Sequence, residues 1–254
     1  MTNAEPARER SCVIFGASGG VGDAMCRQLA ASGPFARIYA GARSGTVPDS
    51  SVSAPGKASI TPFVFDLTEE AGIAAIAERV ARESAPEMVI VATGLLQREP
   101  DIRPERSWRT IDPAAMAEMF AVNTIGPAII GKHFLPLLRH AERPVFAALS
   151  ARVGSIADNG LGGWHSYRAS KAALNMVLRN FGIELHRRNR EGIVVALHPG
   201  TVETALSEPF RGNVPDRQLF TPEHSARCLL SVIDGLTAAD NGGFFAWDGS
   251  RIAW

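Results

Sequence analysis

Short apolar runs alternate with longer segments of helical periodicity along most of the chain. Runs rich in β-branched residues predict strands at 12–15, 38–42, 63–65, 88–92, 145–149, 193–197 and 244–247. The segments between them predict helices at 21–31, 69–83, 113 to about 139, 165 to just before 192, and 222–236. Strands that are apolar on both faces and alternate with helices predict an α/β doubly wound (Rossmann) fold, with a mainly parallel sheet of about seven strands.

Size and composition are consistent with one domain covering residues 1–254. Hydrophobic residues make up 46% of the chain and charged residues 20%, which is ordinary for a soluble globular protein. The 26 basic and 26 acidic side chains balance, so no charge excess favours nucleic acid or an anionic membrane. No run approaches the ~18 apolar residues that span a bilayer. Neither nucleic acid nor a membrane is therefore an expected partner.

The three cysteines, Cys12, Cys26 and Cys228, form no CxxC pair and cannot all be joined in disulfides. They suit free thiols in a reducing cytoplasm, which is the predicted location. No metal site is predicted.

A glycine cluster follows the first predicted strand. The run CVIF leads into Gly16-Ala-Ser-Gly19-Gly20-Val-Gly22, which opens the first predicted helix. Glycines allow the backbone to turn tightly and approach phosphates, and a helix N-terminus offers N–H groups to an anion. An ordinary turn is the alternative, but the position between strand and helix favours a dinucleotide site.

The end of the second predicted strand indicates which dinucleotide. Domains that bind NAD usually place an acid there for the ribose 2′-hydroxyl, whereas an arginine accommodates a 2′-phosphate. This chain has Arg43 and no carboxylate in YAGARS. The pattern favours NADP over NAD, with a solvated loop arginine as the alternative.

Tyr167 and Lys171 lie four residues apart in HSYRASKAALN, and a helix places them on one face. A nearby ammonium favours the phenolate, so the tyrosine pKa is expected below its usual value of about 10. Such a tyrosine is a candidate general acid. The alternative is an exposed tyrosine beside an ordinary surface lysine.

Together these motifs resemble the short-chain dehydrogenase/reductase family over nearly the whole chain. Further matches are Asn123 in FAVNTIG, Asp66-Leu67 after the third strand, and the Pro-Gly motif of 199–204. The segment 91–94 reads VATG where the family has Asn-Asn-Ala-Gly, so both asparagines are missing. Segments such as SARVGSI and the C-terminal FFAWDGSRIAW look like the branch that contains the bacterial C-factor proteins and the insect carbonyl reductase sniffer.

The resemblance implies hydride transfer between a nicotinamide and a carbonyl or alcohol substrate. Tyr167 would exchange the proton, Lys171 would also hold the ribose, and Asn123 would open a helix and hold a water in a proton relay. A homodimer or homotetramer is implied, formed through the helices of 113–139 and 167–187. The implied cofactor contacts are Gly16, Ser18, Gly20, Val21, Gly22, Arg43, Asp66, Leu67, Ala92, Gly94, Tyr167, Lys171, Pro199, Gly200, Val202 and Thr204.

One departure concerns the serine that orients the substrate, which the family carries three residues before a glycine. Here the glycine is Gly154, and counting back three residues gives Ala151. We predict that Ser150 takes the catalytic role, with a bulge at the strand end restoring its aim. The alternatives are Ser155, a water, or catalysis without the serine.

The loops that face the nicotinamide predict a mainly apolar pocket with a cationic corner at Arg152, and an apolar ketone or aldehyde as substrate. The predicted wall consists of Leu95, Leu96, Arg152, Leu161, Trp164, Leu206 and Phe210. The loop of 203–221 is predicted to be a lid over it. A signalling protein that binds nucleotide with little turnover is the alternative from another class. An epimerase or dehydratase is disfavoured by the short chain and the glycine spacing.

Overall fold

The computed structural model describes residues 10–45, 58–208 and 219–254. The strands within these residues are β1 (Ser11–Phe15), β2 (Arg37–Ala42), β3 (Ser59–Val64), β4 (Pro86–Val91), β5 (Val145–Leu149), β6 (Ile193–His198), β7 (Thr201–Val202), β8 (Leu219–Phe220) and β9 (Gly243–Ala246). The helices are α1 (Gly20–Ser32), α2 (Glu70–Glu83), α3 (Pro113–Phe120), α4 (Gly126–Leu138), α5 (His165–Arg188) and α6 (Pro222–Gly235).

Seven of the strands form one sheet in the order β3-β2-β1-β4-β5-β6-β9. Every neighbouring pair in it is parallel. The predicted doubly wound parallel sheet is therefore confirmed. Strands β7 and β8 pair separately over two residues each, which is too short to give a hydrophobic pattern.

Two apolar layers cover the sheet because alternate residues of each strand face opposite sides. Helices α1 and α6 pack on one side against residues such as Ile14 and Val195. Helices α2, α4 and α5 pack on the other side, where Phe15 lies at the centre. The Phe15 ring contacts Phe63, Phe65 and Phe134 edge-on at centroid distances of 5.3, 5.0 and 5.2 Å.

Strand β3 differs from its prediction because it begins at Ser59 and not at Phe63. Residues 59–62 lie outside the strand predicted at 63–65. In the structure, Ser59 to Val64 pair in register with β2. β3 is an edge strand in which only Phe63 is buried, and it contains Ser59, Thr61 and Pro62, so its sequence lacks the apolar pattern of a strand.

The helix predicted over 113–139 is divided by a π-helical turn at Ala121–Ile125. The combined stretch Pro113–Leu138 is also the one helical segment among the described residues long and apolar enough to cross a membrane. This differs from the expectation that no run approaches that length. Packing explains part of its apolar character, since Ile130, Phe134 and Leu138 are fully buried against the sheet.

Candidate active site

The glycine turn after β1 joins the ends of three strands. The amides of Gly16 and Ala17 donate to the carbonyl of Gly41 at 2.9 and 2.8 Å. Gly16 has φ +92°, and a Cβ there would lie 2.9 Å from the carbonyl atoms of Ala92. Only glycine fits this left-handed position, so the turn is held tightly between the carboxyl ends of β2 and β4.

The same turn contacts the start of α1 and the Pro-Gly segment. A Cβ on Gly22 would lie 2.2 Å from the Gly16 carbonyl oxygen, and one on Gly20 would lie 2.9 Å from Thr204 Cγ2. Helix α1 begins at Gly20, and no side chain caps its N-terminus. Ser18 is exposed beside it and Val21 is buried. The arrangement leaves a cradle of backbone N–H groups suited to a diphosphate.

Arg43 and Asp66 lie at the same edge, directly after β2 and shortly after β3, and both are exposed. Thr68 donates to the Asp66 carboxylate from its amide at 2.8 Å and from its hydroxyl at 2.6 Å. These bonds, with a smaller contribution from the Arg43 charge, lower the pKa of Asp66. Leu67 packs inward, within 2.7 Å of where a Gly126 Cβ would lie.

Tyr167 and Lys171 are both buried on the inner face of α5. Lys171 Nζ lies 5.9 Å from the Tyr167 ring centroid and donates to the Leu149 carbonyl at 2.8 Å. Burial lowers the pKa of Lys171 to about 8 and raises the pKa of Tyr167. The predicted lowering of the Tyr167 pKa is therefore wrong for this structure, because burial removes water from the phenol and disfavours its charged form. A protonated tyrosine at neutral pH is the form that can donate a proton.

Asn123 lies in the π-helical turn, so the predicted opening of a helix is present at this residue. Its Oδ1 accepts from the Leu95 amide at 2.7 Å, and its Nδ2 donates to the Leu95 carbonyl at 2.7 Å and to Ser170 Oγ at 3.0 Å. A Cβ on Gly94 would lie 3.6 Å from Lys171 Nζ and 3.7 Å from Asn123 Oδ1. The structure therefore brings Gly94, Asn123 and Lys171 together.

The Ser150 side chain does not point toward Tyr167. Its hydroxyl donates to Asn175 Oδ1 at 2.7 Å, two helical turns beyond Tyr167. The register of β5 with β6 continues through Leu149 without a shift, so a bulge does not re-aim the serine. Its neighbour Ala151 packs against the apolar cluster around Tyr167. This geometry counts against the catalytic role predicted for Ser150, because successive residues of an extended chain point to opposite sides.

The apolar cluster beside Tyr167 contains four of the predicted wall residues, Leu95, Leu96, Trp164 and Leu206. Two others differ from the prediction. Leu161 is 93% exposed, and Arg152 pairs with Asp158 at 3.3 Å, so the cationic corner is compensated. The predicted wall residue Phe210 lies outside the described residues. The cluster also contains wall residues that the sequence analysis missed, namely Ile102, Ala115, Met119 and Val153.

Ala115 and Met119 are four residues apart in α3 and so lie on one face of the helix, a spacing from which part of that wall could have been predicted.

Ser155, the alternative to Ser150 for the catalytic hydroxyl, accepts a hydrogen bond from the Asp158 amide at 3.1 Å.

The Pro-Gly segment is held from two directions. Gly200 has φ +79°, and a Cβ there would lie 2.6 Å from the Phe220 ring. The Pro199 carbonyl accepts from Ser225 Oγ at 2.8 Å, and Val202 pairs with Phe220 between β7 and β8. A Cβ on Gly20 would lie 2.9 Å from Thr204 Cγ2, so the segment lies beside the glycine turn. Of the predicted lid, only 203–208 and 219–221 lie within the described residues.

Comparisons with known proteins agree with this arrangement. Residues 10–214 match the short chain dehydrogenase family. The chain is 30% identical to 1-hydroxy-2-glutathionyl-2-methyl-3-butene dehydrogenase of Rhodococcus sp. strain AD45, across 95% of this chain and 98% of the relative. It is 39% identical to C-signal of Myxococcus xanthus, across 57% of this chain and 81% of the relative.

Two solved structures have the same fold. An NADPH-bound carbonyl reductase from chicken fatty liver has a TM-score of 0.81 and 28% identity, covering 98% of this chain and all of that one. The carbonyl reductase Sniffer of D. melanogaster has a TM-score of 0.80 and 22% identity, covering 97% of this chain and all of that one.

The fold and the site define a doubly wound α/β oxidoreductase with a tyrosine–lysine pair beside a glycine turn. The chain belongs to the short chain dehydrogenase family.

Proposed function

We propose that this protein is an NADP-dependent reductase of apolar aldehydes or ketones, with Tyr167 as the general acid. The observation that carries the proposal is the convergence of Gly94, Asn123 and Lys171 at one end of a buried apolar cluster that contains Tyr167. The glycine turn fits a dinucleotide, because any Cβ at Gly16 or Gly22 would enter its backbone cradle.

When bound, the nicotinamide supplies a hydride to the carbonyl carbon. Tyr167 gives its proton to the carbonyl oxygen, so the product is an alcohol and the oxidised cofactor. The raised pKa of Tyr167 keeps that proton in place at neutral pH. Lys171, which is mostly charged at pH 7 with a pKa of about 8, stabilises the tyrosinate that forms. Asn123 would hold the water through which a proton returns from solvent.

The preference for NADP rests on Arg43, which ends β2 where an acid would select NAD. The carbonyl reductase from chicken fatty liver, which is NADPH-bound, supports the same preference. The preference for an apolar substrate rests on the cluster of leucine, isoleucine, methionine and tryptophan side chains beside Tyr167. Ala151 places a methyl group where the family has a hydroxyl, so in our proposal Tyr167 acts without a serine from this strand end.

The decisive experiment mixes the protein with NADPH and a panel of aldehydes, ketones and quinones, and follows the absorbance of the reduced cofactor. We expect turnover with apolar carbonyl compounds and a slower reaction with NADH. NADPH binding without turnover on any panel member would contradict the reductase proposal and favour the signalling alternative.

A homodimer or homotetramer in the cytoplasm completes the proposal. Light scattering at micromolar concentration tests the assembly, and a monomer would contradict it.

A further inference from the structure

The turn that precedes α5 has an unusual backbone. Gly162, Gly163 and Trp164 have φ values of +64°, +66° and +50°. Trp164 is the one residue other than glycine with positive φ in the part of the chain that the structure describes. A bulky residue with a Cβ disfavours this left-handed region, so other contacts must hold Trp164 there.

Glu105, from the loop before α3, supplies those contacts. Its backbone carbonyl accepts from the Trp164 amide at 2.6 Å. Its carboxylate accepts from the Ser166 amide at 3.3 and 3.2 Å and also from the Ser166 hydroxyl. The residue is only 6% exposed. A carboxylate is favoured at this place because the N-terminus of a helix carries a partial positive charge.

The residues that Glu105 binds, Ser166 and Trp164, both adjoin Tyr167, the proposed general acid. Ser166 directly precedes Tyr167, and the Trp164 ring meets the Tyr167 ring edge-on at 6.2 Å and 72°. Trp164 is half-buried, packed against the cluster that also holds Leu206. Glu105 therefore fixes both the wall beside Tyr167 and the first turn of the helix that carries it.

From this geometry we infer that Trp164 is a specificity-determining residue and Glu105 its positioning residue. The inference rests on the proposed function. A flat apolar group on the substrate would pack on the half-buried indole while the carbonyl meets Tyr167. The substrate class is then aryl aldehydes and aryl ketones, because paired rings gain more than burial alone.

The first test compares benzaldehyde with cyclohexanecarbaldehyde, two aldehydes of equal carbon count. The readout is the ratio of their kcat/KM values in each variant, relative to the wild type. Trp164→Leu should lower this ratio by about two- to tenfold, the range expected for one aromatic pair. NADPH affinity should stay within about threefold, since Trp164 lies on the substrate side.

The second test addresses Glu105 while the indole remains. Glu105→Ala should lower the same ratio and reduce kcat by about tenfold or more, because both rings lose their fixed orientation. Glu105→Gln keeps an acceptor oxygen and should recover much of both. Glu99→Ala is the matched control, since Glu99 is a carboxylate of the same loop that pairs with Arg103 on the surface. If Glu105 had a purely structural role, Glu105→Ala would lower the melting temperature but leave the ratio of the two kcat/KM values unchanged.

Unchanged ratios in both Trp164→Leu and Glu105→Ala would overturn the inference. A wild type without any aldehyde turnover would contradict the proposed function, and a binding measurement then decides the inference separately. Saturable quenching of tryptophan fluorescence by 4-nitrobenzyl alcohol, measured on the NADP⁺ complex, should persist in Trp108→Phe and disappear in Trp164→Phe. Quenching that persists in Trp164→Phe would refute the role of Trp164.

Discussion

The glycine turn and the pocket around Tyr167 lie at the same edge of the sheet, but different parts of the chain hold them. The turn is made of backbone, because hypothetical Cβ atoms at Gly16 and Gly22 meet carbonyl oxygens at 2.9 and 2.2 Å. The pocket is made of side chains, with Tyr167 on α5, Asn123 in the π-helical turn and Glu105 from a loop. The residues that form the turn are consecutive in sequence, although Gly41 and Ala92 help to hold it, whereas the side chains of the pocket come from distant parts of the chain.

The sharpest test of the pocket removes one oxygen atom. Tyr167→Phe should lower kcat by about a thousandfold or more, since general acid catalysis contributes about 10² to 10⁴ and no second acid is assigned here. NADPH affinity should change less than about threefold, as measured by fluorescence titration. Turnover close to wild type would show that Tyr167 is not the acid.

This difference also explains how much of the site could be predicted from the sequence. The glycine turn occupies seven consecutive residues, so its position between β1 and α1 was readable. The bond from Ser150 to Asn175 spans 25 residues and that from Ser166 to Glu105 spans 61, and neither leaves a local pattern.

The Tyr167 pKa was misjudged for the same reason. The spacing to Lys171 indicates a neighbouring charge but not the burial that raises the pKa of Tyr167. The parallel sheet, in contrast, follows from the alternation of apolar runs, and only the polar edge strand β3 was partly hidden.

A single added methyl group should destabilise the glycine turn. Gly22→Ala should lower the free energy of unfolding by about 1 to 3 kcal/mol, because the new Cβ overlaps a rigid carbonyl, and NADPH binding should weaken with it. Gly72→Ala is the matched control in α2, where a Cβ meets nothing within 4 Å. That control should gain up to about 1 kcal/mol in thermal or urea unfolding. Equal effects at both positions would mean that the turn is not tightly packed.

At the end of β2, beside the glycine turn, the preference for NADP is assigned to one charged side chain, Arg43. Arg43→Ala should weaken NADPH binding by about ten- to a hundredfold, the cost of a lost charged hydrogen bond, and leave NADH nearly unchanged. Calorimetric titration of both cofactors measures it. Equal losses for NADPH and NADH would argue against recognition of the 2′-phosphate.

The buried lysine predicts a pH dependence of stability. Lys171 has a pKa of about 8 in the folded protein, below its usual 10.5, so the unfolded chain binds more protons between these values. Stability therefore rises with pH through that window, by up to about 2 kcal/mol between pH 7 and 9.5. Urea unfolding of wild type and Lys171→Met measures the difference. If the stability of Lys171→Met had the same pH dependence as that of the wild type, Lys171 would not be its cause.

The smallest expected effect on kcat tests which residue at the end of β5 faces the substrate. The sequence and the structure favour different residues. The family spacing falls on Ala151, and sequence proximity favoured Ser150. In the structure the Ser150 hydroxyl donates to Asn175 Oδ1, so its removal takes the donor away from that buried oxygen without changing the wall beside Tyr167. Ser150→Ala should therefore cost about 1 to 3 kcal/mol of stability and change kcat by less than about threefold.

The reciprocal change adds a hydroxyl on the side of the cluster. Ala151→Ser should raise kcat with unactivated ketones by up to about tenfold, because a second donor would then share the developing charge with Tyr167. Steady-state kinetics on one ketone and one aldehyde measures both variants. A loss on the order of a hundredfold in Ser150→Ala, the scale of one oxyanion donor, would instead show that Ser150 turns toward the substrate during catalysis and that the pocket rearranges when it is filled.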